Sequence, residues 1–366
     1  MICSRERMFY MDKKVFKRIG VLTAGGDAPG MNAAIRAVVR SASARGIEVM
    51  GIYGGYRGLL DEDMKLLTPR DVSNIINHGG TMLYTDRCKR FMTQEGVELA
   101  AANAKKYGID GIVTIGGDGT FRGATDLSRM GVPCIGIPAT IDNDVSASDY
   151  TIGFDTAKNT VIEMVDRLRD TCESHKRISV IEVMGRNAGY IALECGIAVG
   201  ASGIAVAEIP IEKNELIERI IRLSKTGKRH FIVMVSEGMG ATYGEKLTEE
   251  IEDRTGLETR FARLAHVQRG GIPTSTDRFV ATLMGEKSVD ILIDGKYKQV
   301  VCYQDSRVVA REMEYSFTLD RIVKDKATEE EIASIDEATR AEMLEEAKRI
   351  KAHMLDLYDV AKTMAI

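Results

Sequence analysis

The chain has 366 residues, 44% of them hydrophobic and 28% charged, with a formal net charge of −4. Domains typically run about 100–200 residues, so two lobes are expected, and the composition is that of a folded globular chain, neither disordered nor membrane-spanning. The acidic balance argues against general nucleic-acid binding, which needs a basic surface to replace counterions, although a local basic pocket for small phosphorylated ligands remains open.

The N-terminal stretch MICSRERMFYMDKKVFKR has charges interrupting every apolar run, so no signal peptide is expected there. No segment approaches the roughly 20 apolar residues that span a bilayer; no membrane partner and a cytoplasmic location are expected. Met11 is an alternative start, and residues 1–17 read as an extension. The six cysteines (Cys3, Cys88, Cys134, Cys172, Cys195, Cys302) contain no CxxC pair and read as reduced thiols, while the five histidines are too scattered to announce a metal site.

Arg18–Thr23 reads as a buried strand, followed by GGDAPG at 25–30 and a helix from Met31 to about Arg45. Glu48–Tyr53 is the next strand. Gly111–Ile115 is another, closed by GGDGT at 116–120 and a helix through Met130, and Cys134–Ile137 runs directly into PATIDND at 138–144. Thr156–Cys172 places Val161, Val165, Leu168 and Cys172 at helical spacing. Ile178–Val183 is a strand ending at MGRNAGY, with a helix after it. Strands at Ile204–Ile209 and Phe231–Val235 flank a helix at Glu215–Lys225. The segment 268–318 returns with a helix at Thr276–Asp290 and a strand at Gln299–Tyr303, and Thr328–Ile366 reads as one or two packing helices. Continuous apolar strands alternating with helices predict an α/β fold: two doubly wound, Rossmann-like parallel-sheet lobes with the active site in the cleft between them. The expected division is 18–153 plus 268–318 for one lobe and 154–267 plus 319–366 for the other.

Every unusual glycine cluster falls after a strand, where ligands bind in such sheets. A glycine pair at a strand end is often only a tight turn. Two of them, each with an aspartate and each opening a helix, suggest phosphate binding at helix N-termini. Met31-Asn32 stands where a P-loop needs Lys and Ser or Thr, and neither turn matches G-x-G-x-x-G, so both common nucleotide fingerprints are absent. Asp142 and Asp144 taken alone read as helix caps or Asx turns. With Asp118 in a neighbouring strand-end loop, three carboxylates converge; Mg²⁺ and nucleotide phosphates would relieve their repulsion, and one carboxylate left free could take a hydroxyl proton. That is equipment for phosphoryl transfer. Arg87, Arg177, Arg186, Arg260, His266 and Arg269 supply the cations for phosphate recognition.

The ordered set GVLTAGGDAPGMNAAIR, GGDGT, PATIDND, TIGFDTA, RISVIEVMGR, SEGM and HVQRGG resembles the bacterial-type ATP-dependent 6-phosphofructokinases over about residues 18–310. GGDGT alone also occurs in lipid and NAD kinases; the full set does not fit them. The resemblance implies ATP and fructose 6-phosphate as substrates and Mg²⁺ as cofactor. It makes Asp142 the general base, with Thr140 positioning the transferring group. Asp118 and Asp144 organise Mg²⁺, Arg186 stabilises transition-state charge, and Arg87 touches the transferred phosphoryl. Gly26, Arg87, Cys88, Gly117, Asp118, Gly119 and Thr120 correspond to nucleotide positions. Met184, Gly185 and Glu237 correspond to sugar contacts, and Arg177, Arg260, His266 and Arg269 to 6-phosphate ligands. Arg177 and Arg260 would reach the active site of an adjacent subunit, which implies a homo-oligomer, a tetramer above all. On the same grounds 18–153 plus 268–318 is the nucleotide-binding lobe and 154–267 plus 319–366 the sugar-phosphate lobe.

In this family the phosphoryl donor tracks the residue after GGD and the one before TIDND. Pyrophosphate users carry Asp and Lys there; Gly119 and Ala139 favour ATP, although Ala139 replaces the usual glycine and its methyl could crowd the phosphates. Arg36, Arg40, Arg169, Lys228 and His230 match a regulatory pocket for ADP or phosphoenolpyruvate. Ser202, Pro69 and Asn74 depart from it, so weak or altered effector control is implied. A pyrophosphate-dependent enzyme and a catalytically dead nucleotide sensor are the alternatives.

Overall fold

The computed structural model describes residues 16–365. Most of the expected 1–17 extension, with Cys3 and Met11, lies outside them, as does Ile366. Eleven strands form among the described residues: β1 (Arg18–Thr23), β2 (Glu48–Ile52), β3 (Met64–Leu67), β4 (Gly111–Gly116), β5 (Cys134–Pro138), β6 (Ile178–Val183), β7 (Gly203–Ala205), β8 (Phe231–Ser236), β9 (Thr259–Arg263), β10 (Gln299–Gln304) and β11 (Arg307–Glu312). They pair into two sheets, ordered β11-β10-β5-β4-β1-β2-β3 and β7-β8-β6-β9. The second sheet is wholly parallel, while the first is parallel except for its antiparallel edges β3 and β11. β4 is buried at every position, and β1 everywhere but its first residue, as strands covered on both faces must be.

Strand order in the first sheet reverses between β1 and β4, because β1 continues to β2 on one side and meets β4 on the other. Loops at the C-terminal ends of such a pair diverge and leave a crevice. Both glycine turns fall there.

The helices Met31–Ala44 and Ser275–Ile293 pack on each other across the first sheet. Their approach is close enough that a Cβ on Gly285 would meet Ala37 Cβ at 2.6 Å and the Ala34 carbonyl at 2.8 Å. The later segment thus returns to the first sheet, to which β10 and β11 also add. Asp277, fully buried on the helix Ser275–Ile293, ties this layer to the start of the helix Phe154–His175. Its carboxylate accepts from Gly153 N at 2.6 Å and Thr156 N at 2.9 Å, and from the hydroxyls of Tyr150 and Thr156. A buried carboxylate satisfied by four donors is a firm joint between the two halves.

Several elements differ from the sequence expectation. The strand expected at Ile204–Ile209 is only Gly203–Ala205, because β7 is an edge strand whose ladder with β8 ends at Ala205 and the chain turns away before Pro210. The tail forms the short helix Glu329–Ala333 and the long helix Glu337–Met364; the latter packs against both Met313–Val323 and Tyr190–Ala198, bridging the layers of the two sheets. The helices Gln94–Lys106 and Tyr243–Thr255 and the strands β3, β9 and β11 were not anticipated.

Candidate active site

Three strand ends and one turn build the cleft. The β1 end supplies Gly25, whose φ of 88° is open to glycine, and Gly26. The β4 end supplies Gly117, N-cap of the helix Asp118–Arg129, which caps no amide with a side chain and so leaves the helix N-terminus available to an anion. These two loops are locked together: the Thr120 hydroxyl donates to the Ala24 carbonyl at 2.9 Å, and the Tyr56 hydroxyl to the Thr120 carbonyl. The Thr120 hydroxyl, expected to lie among the nucleotide contacts, is buried in this lock. A Cβ on Gly119 would have no heavy atom within 4 Å, so the space beside it is free.

The β5 end carries Ala139 to Asp144. Asn143 takes a left-handed φ of 51°, tolerated by its short amide, whose oxygen accepts from Thr151 N at 2.9 Å. The Thr151 hydroxyl donates back to the Thr140 carbonyl at 2.6 Å, which fixes the loop and aims the residues on either side of Asn143. Asp142 is only 3% exposed; its Oδ2 lies 3.8 Å from Arg186 Nε and its Oδ1 is buried with no hydrogen-bond partner. Burial, reinforced by the charge of Asp144 and opposed by Arg186 and Arg269, raises its carboxyl from 3.8 to about 6. Burial also raises the Asp144 carboxyl, against the pull of Lys324. Asp118 is held differently: its Oδ2 pairs with Arg122 Nε at 3.2 Å and Nη2 at 3.1 Å. The Ala139 side chain is 1% exposed, which limits how far its methyl intrudes.

Gly26, Gly117, Asp118, Gly119, Thr120, Arg87, Cys88, Ala139, Thr140, Asp142, Asp144, Arg186 and Arg269 line one cleft of about 600 Å³. Tyr56, Lys89, Phe91 and Met92 line it too and were missed. Tyr56 stacks on Phe91 at 4.1 Å; its place just beyond β2, at the same sheet edge as the glycine turns, is the signal that could have found it. Arg269 comes from the second half of the chain, and its guanidinium lies 3.3 Å from where a Cβ on Gly26 would stand.

A second cavity of about 510 Å³ adjoins through Arg186 and is lined by Met184, Glu237 and His266 among others. Gly185 forms its lip at a φ of 137°, where a Cβ would strike the Ala188 carbonyl at 2.3 Å. Glu237 Oε1 accepts from Gly185 N at 3.2 Å and Arg186 N at 2.7 Å, holding that lip in place. Gln268, fully buried, accepts from Met184 N at 3.2 Å and so anchors the turn that carries His266 and Arg269.

Arg177 and Arg260 are not brought to this place. They flank Glu258 at the start of β6 and β9, Arg177 pairing with it at 2.5 Å, and six-residue β6 puts Met184 roughly 20 Å away. Of the regulatory candidates, Arg169 contacts His230 at 3.2 Å, with Lys228 close enough to lower the His230 pKa further; burial and Arg169 are the larger causes. Arg36 and Arg40 lie on the helix Met31–Ala44, in the other half. Ser202 is buried, its amide bonded to the Ile232 carbonyl at 2.7 Å. Among the described residues, no helix is long and apolar enough to cross a membrane.

A family model described as phosphofructokinase matches residues 18–292. The chain is 49% identical over 305 residues to ATP-dependent 6-phosphofructokinase 1 of Clostridium perfringens, covering 83% of this chain and 95% of that protein. It is 51% identical over 293 residues to ATP-dependent 6-phosphofructokinase of Bacillus subtilis, covering 80% and 91%. Among solved structures it is similar to phosphofructokinase from Saccharomyces cerevisiae, with a TM-score of 0.83, 31% identity and 94% of this chain covered; the chain spans 49% of that yeast chain.

Proposed function

The chain belongs to the phosphofructokinase family, and from that premise we propose how its two adjoining cavities carry the reaction. It transfers the γ-phosphoryl group of ATP to the 1-hydroxyl of D-fructose 6-phosphate, giving fructose 1,6-bisphosphate and ADP, a step of glycolysis. The nucleotide phosphates lie over Gly26, Gly117 and Gly119, against the open N-terminus of the helix Asp118–Arg129, with Arg87 and Cys88 at the mouth. The nucleotide-binding lobe is 18–153 plus 268–318. The sugar sits against Met184, Gly185 and Glu237 in the second cavity, in the lobe 154–267 plus 319–366, its 6-phosphate toward His266, with Arg269, whose guanidinium lies in the first cleft, turning to meet it.

The observation that carries this reading is Asp142, buried at the junction beside Arg186 with one oxygen unpartnered and a carboxyl raised to about 6. It is ionised at neutral pH yet basic enough to take the proton of the 1-hydroxyl as that oxygen bonds to the γ-phosphorus. The β–γ bridging oxygen leaves with the electron pair of the broken bond. Arg186 and Arg87 face the charge spread over the transferring group, and Thr140 orients it.

A divalent metal, which we assign as Mg²⁺, fits Asp118 and Asp144. Among the described residues no three His, Cys, Asp or Glu side chains form a self-sufficient metal site, but Mg²⁺ beside nucleotide phosphates needs only one or two carboxylates. Both aspartates line the cleft, and Arg122 must share Asp118 with the ion. When bound, the metal neutralises phosphate charge.

Arg177 and Arg260 serve the active site of a neighbouring copy, in a homo-oligomer that we assign as a tetramer working in the cytoplasm. Their distance from the chain's own cleft supports this. A regulatory pocket between copies would combine Arg36 and Arg40 with Arg169, Lys228 and His230; with Ser202 buried, effector control is weak. The direct test of the reaction is ³¹P NMR of the product. Phosphorus on C1, formed one-for-one with ADP, is expected; ATP hydrolysis without a phosphorylated sugar would refute it.

A further inference from the structure

The strand before HVQRGG carries a second arginine that none of the roles above uses. Arg263 is the last residue of β9, directly opposite Glu182 of β6 in the ladder, and it lines the same cavity as Met184, Glu237 and His266. Glu182 is buried and takes its side-chain bonds from Arg263 alone, Nε to Oε1 at 2.5 Å and Nη2 to Oε2 at 3.5 Å. Arg263 Nη2 also donates to the Ala241 carbonyl at 2.9 Å and lies 3.7 Å from Glu245. The guanidinium is therefore held by Nε and Nη2, while Nη1 has no partner among the described residues and the side chain stays 43% exposed at the cavity wall.

The other charged groups of the cavity are already committed. Glu237 is bonded to the amides of Gly185 and Arg186, and Arg186 faces Asp142. A sugar phosphate entering here carries two negative charges past two carboxylates, Glu182 and Glu237. Arg263 cancels the first and offers a fixed, pre-oriented donor pair to an oxygen of the ligand. Resting on the sugar-phosphate reading of this cavity, we infer that Arg263 is a further substrate ligand, set in place by Glu182, that raises affinity for the anionic ketose phosphate.

The test is steady-state kinetics of the full-length wild type, Arg263→Met and the double variant Glu182→Gln/Arg263→Met, varying fructose 6-phosphate and ATP separately. Loss of a charge-assisted hydrogen bond raises KM for fructose 6-phosphate about 10–100-fold, with little change in KM for ATP. The double variant removes the buried, unpaired carboxylate as well, so it is the decisive one if Arg263→Met folds poorly. A KM for fructose 6-phosphate that stays raised in the double variant supports a direct contact. A double variant that returns to the wild-type KM overturns the inference, because Arg263 then only neutralises Glu182. An Arg263→Met enzyme with unchanged KM overturns it too. Wild type that does not phosphorylate fructose 6-phosphate at all overturns the functional reading beneath it, an outcome distinct from the other two.

Discussion

Asp142→Asn should weaken the enzyme and strengthen the fold at the same time. The carboxyl rises from 3.8 to about 6 on folding, a difference of roughly two pH units. At 1.36 kcal/mol per unit, the folded state carries about 3 kcal/mol of unfavourable charge burial whenever Asp142 is ionised in both states, which is the case above pH 6. Below pH 6 the folded protein takes up the proton first, so stability rises as pH falls; the cost is gone below about pH 4, where the unfolded chain is protonated too. Asparagine is neutral throughout and of the same shape. At about 2.1 cal/mol/K of unfolding entropy per residue, 3 kcal/mol over a chain of 366 residues is a Tm gain of ~4 °C. Calorimetry of both proteins, without nucleotide or metal and at equal concentration, should show that gain at pH 8 and its disappearance between pH 6 and 4. Turnover should meanwhile fall about 10²–10⁴-fold at neutral pH. An Asn variant that melts below wild type at pH 8, or a gap that does not change with pH, would refute the argument that buried charge at this position is held against stability for catalysis.

Gly119→Asp should fold normally, since an added Cβ there meets nothing within 4 Å; Tm should stay within about 1–2 °C, while KM for ATP climbs because a carboxylate now occupies the phosphate path. An unchanged KM for ATP would remove Gly119 from the donor site. Gly185→Ala should cost about 1–3 kcal/mol or more, because its φ of 137° and the 2.3 Å approach to the Ala188 carbonyl leave no room for a methyl group. KM for fructose 6-phosphate should rise more than KM for ATP, and equal changes in both would show that the lip does not bind sugar selectively. Arg260→Ala should raise KM for fructose 6-phosphate and Asp142→Asn should be nearly inactive, so both are weak at low fructose 6-phosphate, yet unfolding and refolding them as a mixture should recover activity there, because some sites then combine an intact Asp142 with a neighbour's intact Arg260. No recovery, with mixed oligomers demonstrated, would place Arg260 in its own chain's site or outside the site altogether.

How far the fold could be read in advance depended on burial. β1, β4, β5, β6 and β8 are central strands whose continuous apolar runs stand out without any partner information. β3 (MKLL) and β11 (RVVARE) are antiparallel edges, half exposed, and their charges mask them. β9 (TRFAR) is missed for the same reason, and with it went the cross-strand pairing of Arg263 with Glu182. At the site, the glycine turns and the spacing of Asp142 and Asp144 are local signals. The Arg122 bond to Asp118 is an i,i+4 pair that spacing permits without requiring it, and the grip of Glu237 on two amides and the Arg269 guanidinium against Gly26 are not local at all. The last two join residues from distant segments, and all three depend on side-chain direction that spacing alone does not specify. The residues proposed for a regulatory pocket illustrate the remaining gap: Arg36 and Arg40 lie on the helix Met31–Ala44 and Arg169 beside His230 in the other half of the chain, so the proposal that they meet requires a second copy.

The most direct test of the account supplies purified protein with fructose 6-phosphate and Mg²⁺, and either ATP or pyrophosphate, and measures fructose 1,6-bisphosphate. The open space beside Gly119 and the buried methyl of Ala139 predict turnover with ATP and none above background with pyrophosphate. Turnover with pyrophosphate alone would contradict the assignment of the donor cleft, and silence with both would contradict the assignment of Asp142 as a working base.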